Sequence, residues 1–196
     1  NLEIYWNDNQ EKLQRFYNTL DLSDVIVITS NRQWGTTVRV PERYPLTTAY
    51  YRSLMGCPAE EDILKCYASA KPGMYSGQLG FELTAVFESD PNLGNFKIND
   101  QLAEEAFTVY DHPKVLIFQK TTDYDPAVVR QILGSVDLTN VVQLTPAQAS
   151  KFHGTLNLSD EERQIQTDGG TWSELFPANS PLNLNPWLAV DRKSVV

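Results

Sequence analysis

The run Val115-Leu116-Ile117-Phe118 constrains the fold of this chain more than any other stretch. It is short, continuous and made of branched and aromatic residues, with Lys114 and Lys120 at its margins. Such a run reads as a strand buried on both faces rather than as a helix. We expect it at the centre of a small sheet. Just upstream, Ala103, Ala106, Phe107 and Tyr110 follow a spacing that suits one face of a short helix. Asp111-His112-Pro113 ends that pattern, because proline lacks an N–H and pushes His112 toward an extended backbone.

Two more strands complete the expected sheet. Val25-Ile26-Val27-Ile28-Thr29 is a second apolar run, read as buried. Residues 80–89 alternate apolar with polar as far as Ala85, which fits a strand with one exposed face. Helices are expected before and between these strands. Asn9–Leu20 places Leu13, Phe16, Tyr17 and Leu20 on one stripe with charged residues opposite. A second helix is expected from Thr47 or Thr48 to Gly56, and a turn or two from Glu60 to Tyr67. Asp125-Pro126 opens another that Gly134 stops, and Thr145-Pro146 opens a short one at 147–152. Between the first strand and the second helix, SNRQWGTTVRVPERYP carries a glycine and two prolines and reads as a long loop without regular structure.

The architecture expected is therefore α/β: a small sheet of about three or more strands with flanking helices, over residues 1–153. Residues 154–196 look different. They hold Gly169-Gly170, prolines and isolated anchors such as Trp172, Phe176 and Trp187, and read as an irregular appendage with one short helix at 160–166.

Charge narrows the function. With 16 basic and 25 acidic residues the chain carries a formal −9, which argues against nucleic-acid binding, since that leans on neutralising phosphate. No apolar run approaches the roughly 20 residues that cross a bilayer. The chain opens on Asn1 without a signal peptide, so we expect a segment of a longer polypeptide. Its two cysteines, Cys57 and Cys66, could close a small loop in an oxidising compartment or remain two reduced thiols. A metal is not expected, because zinc wants four ligands and only His112 and His153 could supplement the pair.

Against the acidic background one segment is basic. Arg32, Arg39, Arg43 and Arg52 follow one another with Glu42 as the one acid among them. Guanidinium groups bind phosphate and carboxylate through paired hydrogen bonds. Trp34, Tyr44, Tyr50 and Tyr51 add flat surfaces suited to a sugar ring or a lipid headgroup. The competing reading pairs these arginines with the surplus acids and packs the aromatics beneath. Asp111-His112 and Glu104-Glu105 are read as structural: the first sits in a proline-bounded turn, and the second diverges by about 100° around a helix. Ser30 lacks a G-x-S-x-G, and neither a P-loop nor a G-x-G-x-x-G is present, so no catalytic residue and no cofactor is expected.

Four blocks carry a resemblance: Ser30–Gly56, Gly77–Gly94, Ala103–Thr121 with its FTVYDHPKVLIF run, and Gly169–Phe176, read GGTWSELF. Over roughly residues 20–180 the chain resembles the extramembranous segment of large multi-pass membrane proteins named for a Tyr-Tyr-Tyr motif. Those are similar in turn to the family-39, protein-mannosyltransferase-like C-type glycosyltransferases. The resemblance implies a domain on the extracytoplasmic face of the cell membrane, partnered by its own transmembrane domain. That domain would take a sugar from a polyprenyl-phosphate donor through acidic loop residues. No such loop is recognisable here and the Tyr-Tyr-Tyr motif is absent, so this segment is expected to be non-catalytic. The ligand-facing candidates are Arg32, Trp34, Arg39, Arg43, Tyr44, Tyr51 and Arg52. The alternative is a structural, assembly or glycan-binding module of a membrane protein. A transmembrane helix is expected to begin near Pro186-Trp187-Leu188-Ala189-Val190, and Asp191–Val196 falls outside the resemblance.

Overall fold

The computed structural model describes residues 2–94, 96–97, 106–149, 151, 161 and 164. The chain divides into two units, Asn1–Leu144 and Thr145–Val196. In the first, helix α1 (Gln10–Leu22) begins where Asn9 Oδ1 accepts the Lys12 N–H at 2.8 Å. It buries Leu13, Phe16, Tyr17 and Leu20, as their spacing requires. Lys12 was expected on the solvated side and instead turns inward to meet Asp8.

Strand β1 (Val25–Ile28) leads into a region expected to lack regular structure. It holds helix α2 (Asn31–Gly35) and a 3₁₀ turn at Thr37–Arg39. Helix α3 (Pro45–Met55) starts before the expected Thr47, because a proline at the first helical position loses no hydrogen bond. Gly56 closes it in the left-handed region, φ 77°, where glycine has no Cβ to clash. Helix α4 (Ile63–Ser69) is capped by Asp62, whose Oδ1 accepts the Leu64 N–H at 2.9 Å. Then come β2 (Phe81–Phe87), a small hairpin of β3 (Asn92–Leu93) and β4 (Phe96–Lys97), a π-helical turn at Ala106–Asp111, β5 (Val115–Lys120) and α5 (Pro126–Gly134). The expected helix upstream of Asp111 is thus a π turn where it is described; residues 103–105 lie outside the described residues.

The three long strands form one antiparallel sheet in the order β1–β5–β2, with β5 central as its apolar run implies. Helices and a small antiparallel sheet make the first unit a mixed α/β fold. The register shifts between Leu83 and Ala85, a bulge at Thr84 where the sequence loses its alternation. One face of the sheet is core: Ile28, Phe81, Leu83, Leu116 and Phe118 are buried with Phe16, Leu20, Tyr50 and Leu54 from the helices.

The other face corrects two expectations. Neither β1 nor β5 is buried on both sides: Val25 and Val27 are 48% and 47% exposed, and Val115 and Ile117 are only half-buried. Phe87, opposite Val115, is 59% exposed. A continuous apolar run reports burial on one face and apolar character on both, and among the described residues the buried core lies on a single face.

In the second unit, α6 (Pro146–Ala149) follows Thr145, and Glu161 and Gln164 are helical within the expected 160–166 segment. The expected anchors Trp172, Phe176 and Trp187, and the expected transmembrane start at Pro186, lie outside the described residues. Among the described residues no helix is long and apolar enough to cross a membrane.

Candidate functional site

The basic segment follows β1 directly, and its residues separate into an interior group and a rim. Trp34 and Tyr51 belong to the interior. Trp34 is 1% exposed and stacks on Tyr67 of α4, with ring centroids 5.3 Å apart and planes at 26°. Tyr67 meets Tyr51 edge-on at 5.7 Å and donates its hydroxyl to the Tyr51 carbonyl at 2.8 Å. Tyr50 and Phe16 extend the cluster, at 5.1 Å from Tyr51 and 5.0 Å from Tyr50 respectively. Burial pushes the Tyr50, Tyr51 and Tyr67 phenols up, so they stay neutral.

Arg52 also serves the interior. It donates to the carbonyls of Pro58 and Glu61, the latter at 3.0 Å, and so ties down the loop that Cys57 opens. Cys57 and Cys66 form a disulfide with Cα atoms 6.1 Å apart, joining the end of α3 to α4. Glu61 lies close by, its carboxylate and the two sulfurs all within 4.8 Å of one another. Sulfurs bonded to each other are not thiolates, and only thiolates would bind a metal there.

The rim is held by a chain of hydrogen bonds. Tyr5, 47% exposed, donates its hydroxyl to the Arg32 carbonyl at 3.0 Å. The Tyr44 hydroxyl donates to the Tyr5 carbonyl at 3.5 Å. Arg43 Nε donates to the Tyr44 oxygen at 3.3 Å, with its guanidinium 5.5 Å from the Tyr44 ring centre. Arg32, Tyr5, Tyr44 and Arg43 therefore share one neighbourhood. Arg39 is exposed and bonds the Gly35 carbonyl at 2.7 Å. Neither Arg39 nor Arg43 forms an ion pair with a carboxylate among the described residues.

The sequence reading missed Tyr5, Trp6 and Arg15. The Arg15 guanidinium sits 4.5 Å from the Trp6 ring centre, and Trp6 is 48% exposed. Two adjacent aromatics ahead of the Asn9 cap were the available signal. Chemically the rim offers guanidinium donors beside aromatic faces, a combination that takes an anionic group attached to a flat or apolar one. His112 is half-buried and Asp111 exposed at the end of the π turn, which packs against α2.

Compared with protein-family models, characterised proteins and solved structures, the chain finds no match.

Proposed function

We propose that this chain is the extracytoplasmic domain of a glycosyltransferase-like integral membrane protein. It is non-catalytic itself, and its arginine rim serves the phosphate of a polyprenyl-phosphate-linked sugar handled by the membrane-embedded partner. The observation that carries the reading is the state of Arg39 and Arg43. In a chain with a surplus of nine negative charges, the exposed Arg39 and the half-buried Arg43 have no carboxylate partner among the described residues. The disulfide agrees with an oxidising, extracytoplasmic setting. We assign ligand contact to Arg32, Arg39, Arg43 and Tyr44; Trp34 and Tyr51 are buried, and Arg52 is engaged with the Pro58 and Glu61 carbonyls. The test is the complete reading frame from which the chain comes. Flanking lipid-crossing helices are expected, and their absence overturns the proposal.

A second reading, an assembly module that docks on its own membrane-embedded portion, is favoured by the open apolar sheet face at Val25, Val27 and Phe87. It predicts that Val27→Asp releases the domain from that portion while ligand binding at the rim persists.

A further inference from the structure

We infer that Cys57, Glu61 and Cys66 form a redox-gated metal site, closed while the sulfurs are joined and able to take a zinc ion once both are thiols. The site is independent of the function proposed above. Its donors come from a fastened loop between α3 and α4. Gly56 ends α3, and the Cys57 N–H after it bonds the Arg52 carbonyl at 3.0 Å. The Glu61 N–H bonds the Pro58 carbonyl at 3.2 Å, and the Arg52 guanidinium holds the Pro58 and Glu61 carbonyls. Asp62 then starts α4, which carries Cys66. Cys57 and Cys66 are buried and Glu61 is half-buried. A Glu61 carboxylate oxygen and the two sulfurs lie within 4.8 Å of one another.

The Glu61 carboxylate is the observation that points beyond a structural disulfide. It forms no ion pair among the described residues, and the Tyr75 hydroxyl is shared between its two oxygens at 3.5 Å. A disulfide gives it no hydrogen to accept. Two thiolates beside it would repel it and each other, and a cation bound between them removes that repulsion. Their three negative charges then face a divalent cation and the Arg52 guanidinium. Sulfur ligands select zinc over calcium or magnesium, which take oxygen. Three protein ligands leave the fourth tetrahedral position to water. With bonds of about 2.0–2.3 Å, tetrahedral donors stand about 3.3–3.8 Å apart. The carboxylate is therefore close to its place, and side-chain rotation has only to part the sulfurs. A dithiol opens the site: it is oxidised to its own disulfide, and its two electrons and two protons turn the Cys57–Cys66 bond into two thiols. Zinc then displaces both protons as two Zn–S bonds and one Zn–O bond form. The expectation of no metal looked to histidine for the remaining ligands and passed over Glu61.

Zinc titration of the whole chain against a chromophoric chelator tests the site, with one sample reduced by a water-soluble phosphine and another left oxidised. The reduced chain is expected to bind zinc at one ion per chain, and the oxidised chain to bind none. Zinc should also raise the thermal midpoint of the reduced chain, because it binds the folded form. Cobalt(II) in place of zinc should show a thiolate-to-cobalt charge-transfer band. Glu61→Gln keeps the disulfide and the shape of the side chain. It should lower the zinc affinity of the reduced chain at least about tenfold and leave unfolding of the oxidised chain unaltered. Failure of the reduced chain to bind zinc overturns the inference. So does binding without a rise in midpoint, which puts the metal on cysteines of the unfolded chain. An affinity that Glu61→Gln leaves unchanged, or equal binding by the oxidised chain, overturns it too.

Discussion

Asp8 caps a helix that begins far along the chain: its Oδ2 accepts the backbone N–H of Thr47 at 3.0 Å, across 39 residues. Tyr44, the residue at the start of α3, offers no side-chain cap, and Pro45 has no N–H, so Asp8 supplies the acceptor that the first turn lacks. Its other oxygen accepts from Thr47 Oγ1 at 2.9 Å and from Lys12 Nζ at 2.7 Å. Burial lowers the Lys12 ammonium from its ordinary value, and Asp8 works against that shift. Lys12→Met leaves a buried carboxylate without its cation and frees the Ile4–Trp6 turn. A loss of about 3–5 kcal/mol in urea unfolding is expected. Adding Asp8→Asn should restore part of it, since the uncompensated charge is then gone.

Asp21 joins three elements and makes stability depend on pH at both ends. Its carboxylate accepts from Tyr124 at 2.6 Å and from Arg130 at 2.6 Å. The Tyr124 hydrogen bond, with Arg130 and Lys120 nearby, holds the Asp21 carboxyl below its ordinary 3.8. Stability from this group is present above that value and is lost as pH falls through the lowered folded value. Burial and the Asp21 carboxylate raise the Tyr124 phenol above its ordinary 10.0. Its contribution is complete below pH 10.0 and is lost as pH rises through the raised folded value. Tyr124→Phe should flatten the alkaline limb of a plot of unfolding free energy against pH, and Asp21→Asn should flatten the acid limb. An acid limb unchanged in Asp21→Asn would show that the carboxyl carries no such linkage.

The Cys57–Cys66 disulfide closes a short loop, with a sequence separation of 9. Loop-closure entropy for that length corresponds to about 2–3 kcal/mol. Cys57→Ser/Cys66→Ser, or reductant in the thermal scan, should lower stability by that amount. Near-ultraviolet circular dichroism should weaken as well, because α4 carries Tyr67 beneath Trp34.

Thr37 is 2% exposed, and its hydroxyl has no hydrogen-bond partner among the described residues. Removing a buried, unpaired hydroxyl at constant shape relieves a desolvation cost. Thr37→Val should stabilise the chain by about 1 kcal/mol. Destabilisation would mean that the hydroxyl is engaged in solution.

Sequence pattern conveyed some parts of this structure and was silent on others, for identifiable reasons. The central strand was legible because Val115–Phe118 is short and rich in branched and aromatic residues, which favours a strand over a helix. Its burial on one face alone was not legible, and the bulge at Thr84 was not anticipated, though alternation lapses at Ala85. The start of α3 was misplaced because Pro45 reads as a breaker unless its position in the first turn is known. Lys12 fell among the charged residues opposite the apolar stripe, since periodicity registers charge and not the Asp8 carboxylate four residues earlier that offsets its burial. The aromatics of the basic segment were legible as a group but not as to side. Trp34 and Tyr51 go inside while Tyr44 stays at the rim, and only the position of Tyr67 decides which. Tyr5 and Trp6 escaped notice because the chain ahead of Asn9 has no periodicity to read.

The central claim, that the rim receives a phosphate-linked sugar, is tested most directly by titrating the chain with a short-chain polyprenyl-phosphate sugar below its micelle threshold. The account predicts saturable binding, with resonance changes at Arg39, Arg43 and Tyr44. Affinity in Arg39→Ala/Arg43→Ala should fall at least about tenfold, or roughly 1.4 kcal/mol. No binding, or binding that the double variant leaves unaltered, would contradict it.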